Sequence, residues 1–244
     1  MMVELQRVTK TYDSKKVLDE VSFGVPKGAA TIILGRSGTG KSVTLRHIVG
    51  LVRPDRGSVL VEGKDICTMS REGLTNARRR IGFLFQNAAL FDSISVGENV
   101  AFPLRRHTRL PESDIRSRAR EKLAKVGLEM DFDKMPAALS GGMQKRAGLA
   151  RAMALDPPLL LVDEPSAGLD PITAEEIDDL LLSQKKEAGT TLVVVTHNIA
   201  SARKLADKLV MLHDGHVIAD GTLQEFERSD DPLVRAFLAS EHAG

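Results

Sequence analysis

Gly35-Arg36-Ser37-Gly38-Thr39-Gly40-Lys41-Ser42 carries glycine, lysine and serine in the spacing G-x-x-x-x-G-K-[ST]. Those residue types at that spacing suit one task, the gripping of nucleotide phosphates. Glycines let a backbone close on an anion and aim several N–H groups at one point. Lys41 adds a full positive charge for the β- and γ-phosphates, and Ser42 adds a hydroxyl ligand for Mg²⁺. Far downstream, Leu139-Ser140-Gly141-Gly142-Met143-Gln144 forms a second glycine-rich turn. It opens a helix read over residues 144–155, so it offers another anion-binding helix N-terminus. A second phosphate grip without a second lysine loop suggests half-sites completed by a partner chain.

Hydrolytic chemistry needs carboxylates near that loop. Leu159-Leu160-Leu161-Val162 is a buried-strand pattern ending in Asp163 and Glu164. Ligands of open α/β sheets lie beyond the carboxyl ends of the strands, which delivers both acids to the phosphate side. Neighbours on a strand point to opposite faces. The pair is therefore divided, Asp163 to the Mg²⁺ shell and Glu164 to the attacking water as base or orienter. His197 ends a second apolar run over residues 190–196 and by the same rule faces the γ-phosphate region. Gln86 follows a short strand pattern over residues 81–85 and carries an amide suited to sensing metal or water. Tyr12 is the only tyrosine of a chain without tryptophan. Its ring suits stacking on an adenine and equally suits a turn between strands, and the residues alone do not decide.

Those side chains need an α/β scaffold to hold them. Residues 30–34 are apolar and β-branched, as a buried parallel strand requires. The phosphate loop follows at once, and residues 42–49 read as a helix stopping near Gly50. That helix adds about half a positive charge at its N-terminus. Residues 3–25 alternate apolar and polar around an Asp13-Ser14 turn and read as antiparallel strands, joined by a strand at 58–63. A charged helix is predicted over 112–127, further helices over 172–188 and 199–206, and strands over 209–213 and 216–219 around Asp214-Gly215.

In this order, the pieces resemble the nucleotide-binding subunit of an ABC (ATP-binding cassette) transporter, over nearly the whole chain. The resemblance implies an α/β P-loop NTPase fold with a RecA-like core, an antiparallel β subdomain and a helical subdomain. It implies ATP and Mg²⁺, with Tyr12 as adenine stacker and Gly35 to Ser42 as the Walker A loop. Gln86 becomes the Q-loop glutamine and a metal contact beside Ser42 and Asp163. Ser140, Gly141 and Gly142 become the signature turn, Glu164 the catalytic base, Ala167 to Asp170 the D-loop, and His197 the switch histidine. The signature discriminates, because P-loop kinases and GTPases lack it. The family closes as a head-to-tail homodimer in which each ATP lies between one chain's P-loop and the other's signature, on a separate integral membrane permease.

Met143 stands where the signature usually has Gln. The run from Leu139 to Arg146, with Met135-Pro136-Ala137-Ala138 before it, is similar to the Mla/Mce-type ATPases that power lipid movement between bacterial membranes. So are Phe85-Gln86-Asn87-Ala88-Ala89-Leu90-Phe91 and Glu98-Asn99-Val100-Ala101-Phe102-Pro103-Leu104. That likeness implies phospholipid cargo, an Mce-domain lipid-binding protein, a small STAS-type protein and a peripheral place on the cytoplasmic face of the inner membrane. ATPases of amino-acid importers share much of the pattern, so import of a small solute is the alternative.

Composition bounds the rest. The 244 residues suit a single ABC ATPase domain, with 1–86 and 157–224 as nucleotide-binding core and β subdomain, 87–156 as helical subdomain, and 225–244 as tail. That tail is read either as a helix touching a partner or as a frayed end. With 34 basic and 33 acidic residues, no general affinity for nucleic acid is expected. Cys67 is a lone cysteine, which excludes an internal disulfide and suits small-residue packing in a reducing compartment. No apolar run reaches the ~20 residues of a membrane span, and residues 1–7 lack a signal-peptide core. An ATPase of DNA maintenance would carry a long coiled coil between the phosphate loop and Ser140, and a ribosome-associated protein two cassettes in tandem. A regulatory sensor would carry a degenerate site. Leu90, Phe91 and Asp92 are predicted to rim a docking groove for the permease, and Arg78-Arg79-Arg80 and residues 105–109 to be solvated faces.

Overall fold

The computed structural model describes residues 1–239. Alternation along the buried strands decides its architecture. Strand β3 (Ala30–Leu34) is buried along its whole length, so each face must be covered. Ala30, Ile32 and Leu34 point into one apolar cluster, and Ile33 into another. Strands β7 (Leu159–Asp163) and β8 (Thr191–Val195) divide in the same way: Leu160, Val162, Leu192 and Val194 to the first, Leu159, Leu161, Val193 and Val195 to the second. Period-two side chains on a fully buried sheet thus build a core on each side.

The central sheet has six strands in the order β10-β9-β3-β8-β7-β6, with β6 at Ile81–Leu84, β9 at Lys208–His213 and β10 at His216–Gly221. All neighbours pair in parallel except β9 with the edge strand β10. A second sheet of four strands, order β2-β1-β4-β5, is antiparallel. It comprises β1 (Val3–Tyr12), β2 (Lys15–Val25), β4 (Arg56–Val61) and the short β5 (Lys64–Asp65). The predicted turn between β1 and β2 is present, with Asp13 and Ser14 both at positive φ. This sheet and helix α1 (Lys41–Ile48) cover one face of the central sheet, and half-buried Cys67 packs there as predicted. The other face is covered by helices α5 (Gly141–Ala152), α6 (Pro171–Ala188) and α7 (Ile199–Leu205), and helices α3 (Val96–His107) and α4 (Glu112–Lys125) pack in turn on α5 and on each other.

Several boundaries differ from the sequence reading. Helix α5 begins at Gly141 and ends at Ala152, three residues earlier at each end than the 144–155 prediction. Ser140 explains the early start, because its hydroxyl accepts from the Met143 N–H at 3.3 Å and caps the helix. Helix α2 (Arg71–Arg78) was not anticipated, as it is short and charged and buries none of its residues fully, although Leu74 packs half-buried against the core. Arg78 is no solvated residue. Its Nε and Nη2 donate to the carbonyls of Val49 (3.0 Å) and Gly50 (2.7 Å), capping the end of α1. The tail forms α8 (Leu223–Glu227) and α9 (Pro232–Ala239), and residues 240–244 of the tail prediction lie outside the described residues.

Candidate nucleotide site

Because β3, β8, β7 and β6 run in parallel, the residues following them emerge at one edge. A cavity of about 720 Å³ opens there, and Arg36, Ser37, Gly38, Gly40, Lys41, Ser42, Gln86, Glu164 and His197 line it. The loop pattern, the strand-end positions of Glu164 and His197 and the family resemblance for Gln86 assign these residues to one site, and the fold brings them together. Gly35 and Thr39 lie in the loop but not in the lining. Gly40 sits at φ 97 with its Cα so close to β2 that a Cβ would stand 2.7 Å from the Val17 carbonyl oxygen. Only glycine fits both conditions.

Lys41 is nearly buried, and its ammonium donates to the loop's own carbonyls, Gly35 O at 2.7 Å and Arg36 O at 3.0 Å. It also faces Glu164 Oε1 at 3.6 Å. Burial pushes the Lys41 pKa down, and the Glu164 carboxylate opposes that shift. The loop holds its cation ready beside an open, exposed backbone.

The two acids separate as predicted, although by a different device. Asp163 closes β7, and its Oδ1 accepts from Ser42 Oγ at 2.8 Å. Burial raises the Asp163 pKa, against the Ser42 hydrogen bond. Glu164 lies past the strand in the left-handed region, at φ 48, where a non-glycine residue is uncommon. That turn, rather than strand alternation, aims its carboxylate into the cavity. There Oε2 meets His197 Nδ1 at 2.9 Å, and the His197 ring keeps an exposed face. Gln86 stands two residues beyond β6, exposed in a turn.

Two groups are not brought to this cavity. Tyr12, at the end of β1, is 41% exposed beside Lys10, whose Nζ lies 5.3 Å from the ring centre, and the neighbouring β2 residue in the lining is Val17. Ser140 and Gly141 are exposed at the start of α5 and also lie outside the lining. Gly142 is buried, and a Cβ there would stand 2.5 Å from Thr173 Cγ2 on α6. Met143 turns toward the core and packs on it, while Gln144 Nε2 donates to Pro136 O and Leu139 O. The unusual methionine thus fills apolar space behind the turn.

The phosphate loop, the strand-end acids and the glycine turn at α5 fall within one sequence pattern. The profile of the family described as "ABC transporter" matches residues 18–167. The chain belongs to the ABC transporter family. Among curated ABC relatives, "Probable ribonucleotide transport ATP-binding protein mkl" of Mycobacterium tuberculosis is 43% identical over 99% of this chain and 67% of that protein. "Intermembrane phospholipid transport system ATP-binding protein MlaF" of Escherichia coli K12 is 42% identical over 97% of this chain and 88% of that one. Among solved structures, the dimeric bacterial ABC transporter cassette MJ0796 matches with a TM-score of 0.86 and 37% identity, covering 91% of this chain and 99% of that one. A post-hydrolysis dimer of MJ0796 bound to ADP and Pi matches with a TM-score of 0.85. The chain is therefore an ATP-binding ABC cassette of the P-loop NTPase fold, an ATPase by family.

The sequence missed lining residues whose patterns say nothing of nucleotides. His213 and Met211 come from β9, and Leu233, Ala236 and Phe237 from α9. The described part of the tail, predicted as a partner contact or a frayed end, is helical and borders this chain's own cavity. Leu233 and Phe237 sit four apart on one helical face, and that spacing was the available signal.

Proposed function

We propose that this chain is the ATP-hydrolysing subunit of a transporter that moves phospholipid between bacterial membranes. The observation that carries this reading is the 42% identity to the Escherichia coli phospholipid-transport protein, spread over 97% of this chain and 88% of that one. The mycobacterial relative's name gives a second reading, ribonucleotide transport, but its match spans 67% of that protein. Import of a small solute has no such support.

In this reading ATP binds along Gly35 to Ser42, with Lys41 leaving its loop carbonyls for the β- and γ-phosphates. Tyr12, with an exposed ring, takes the adenine. The hard oxygens of Ser42 and Asp163, already paired at 2.8 Å, fit Mg²⁺, which takes few protein ligands, and Gln86 is the third candidate ligand. Once bound, the ion neutralises charge developing on the transferred phosphoryl group. Glu164 takes a proton from the attacking water as its oxygen bonds to the γ-phosphorus and the bond to the ADP oxygen breaks. His197 orients Glu164 and the γ-phosphate. Ser140, Gly141 and Gly142, outside this chain's cavity, complete the partner's site in a homodimer.

ABC cassettes act as dimers with a membrane permease, and no described helix is long and apolar enough to cross a membrane. A groove of about 330 Å³ beside Gln86, lined by Phe83, Phe85, Phe91 and Phe102 among others, is the proposed permease dock. Of the predicted rim, Phe91 lines it; Leu90 packs on the core, and Asp92 is exposed outside the lining. Residues 87–156 serve as the helical subdomain, and 1–86 with 157–224 as the core. The site of action is the cytoplasmic face of the inner membrane, with an Mce-domain protein and a STAS-type protein as accessory partners.

Isolation of the native chain from membranes in mild detergent tests this. The expected result is co-isolation of an integral permease carrying phospholipid. A complex that retains no lipid but holds ribonucleotide beyond the ATP or ADP bound by its two cassettes would transfer the reading to the second candidate.

A further inference from the structure

Helix α5 sends a buried cation back into this chain's own site. Lys145 is 7% exposed, and its Nζ donates to the backbone carbonyl of Glu164 at 3.1 Å. Burying an ammonium is unfavourable unless it is paired. Desolvation pushes the Lys145 pKa down, and the charges of Glu164 and Asp163 oppose that. A buried lysine at a single carbonyl therefore needs a reason, and the carbonyl belongs to the residue with the strained turn.

Glu164 holds φ 48 only while its backbone is tied down. Its N–H donates to Val195 O at 2.9 Å, and its carbonyl also accepts from Ala167 N–H at 3.2 Å. Were the residue to relax into the extended conformation of β7, alternation would swing its carboxylate away from Lys41 and His197. The Val195 and Ala167 ties come from the adjacent strand and from the turn after β7. The Lys145 tie comes from α5, about 7.5 Å along the helix axis from Ser140. The same helix thus opens at the turn proposed to meet the partner's nucleotide and grips the base of its own site.

We propose that Lys145 is a positioning residue for Glu164. Its ammonium holds the Glu164 carbonyl, keeps the left-handed turn that aims the carboxylate at the attacking water, and ties that aim to the placement of α5. The inference rests on the reading of Glu164 as the water-activating base.

The test is a double-mutant cycle on the full chain, comparing Lys145→Met and Lys145→Gln in the parent and in Glu164→Gln. Turnover, nucleotide affinity and thermal midpoint are measured for each. Lys145→Met should lower kcat roughly 10- to 100-fold, as expected for a misaimed group, with nucleotide affinity within about twofold. Lys145→Gln, which keeps a neutral donor, should fall between. In the Glu164→Gln background Lys145→Met should add no further loss, because no base remains to be aimed. A kcat within about twofold of the parent, an equal loss in both backgrounds, or affinity falling in step with kcat would each overturn the proposal. If Lys145→Met fails to fold, Lys145→Gln carries the same cycle. Parent-like turnover by Glu164→Gln would instead defeat the reading of Glu164 itself.

Discussion

Lys41 has two sets of partners to choose between. In this structure its ammonium is bound by the carbonyls of Gly35 and Arg36 and faces Glu164 at 3.6 Å. A phosphate must draw it from those carbonyls, and the buried position makes that charge-assisted contact strong. Lys41→Ala should weaken ATP binding by about 100-fold or more, a loss of about 3 kcal/mol for a buried charged pair, and turnover should fall with it. Titration with a fluorescent ATP analogue measures this, and full affinity in the variant would remove Lys41 from the phosphate site. At this scale the sequence was most legible where chemistry fixes the residue type, as in Lys41, Ser42 and Asp163. It was least legible where backbone geometry carries the function. The left-handed turn of Glu164 and the reach of Lys145 to its carbonyl leave no pattern in residue types, because many side chains tolerate similar contexts elsewhere.

Among the elements, α5 does most to separate cap, packing and ligand roles. Ser140 caps the helix from within the chain, and Gly142 leaves space for Thr173 of α6. Either fact alone would account for those residues without a nucleotide. Two substitutions part the roles. Ser140→Ala removes the cap and should cost about 1 kcal/mol of stability, read as a lowered thermal midpoint. Ser140→Arg adds bulk on an exposed turn and should abolish ATP-driven pairing of chains while each chain still binds ATP. Normal pairing in Ser140→Arg would remove the turn from the partner's site. The buried strands were read almost residue for residue, because β-branched apolar runs between turns have few other homes. The start of α5 was read too late, since glycines are poor helix formers and only the Ser140 cap and the Thr173 contact admit them. Helix α2 is short, charged and without a fully buried residue, so half-buried Leu74 alone gives little sign of it in the sequence. In α9 the spacing of Leu233 and Phe237 marks a helical face without saying what that face meets.

In the proposed reading, the molecule as a whole presents half of each of two sites. Its cavity gathers most of the loop, Glu164, Gln86 and His197, with Asp163 outside the lining but bonded to Ser42, whereas the exposed Ser140 and Gly141 also stand outside that lining. Nucleotide held between two such surfaces binds the closed pair better than the open one. Hydrolysis removes that difference and shifts the population toward separated chains. The groove beside Gln86, with the stacked Phe83 and Phe85 rings 4.2 Å apart on its wall, is the route proposed for passing that motion to a permease. The most direct test uses Glu164→Gln, which should bind ATP and consume it only at a low residual rate. Its mass in solution is measured by sedimentation with and without ATP and Mg²⁺. We predict twice the 26.5 kDa of one chain with nucleotide and a single chain without it. A Glu164→Gln chain that stays single at saturating ATP, while the parent hydrolyses ATP at full rate as a monomer, would contradict the shared site.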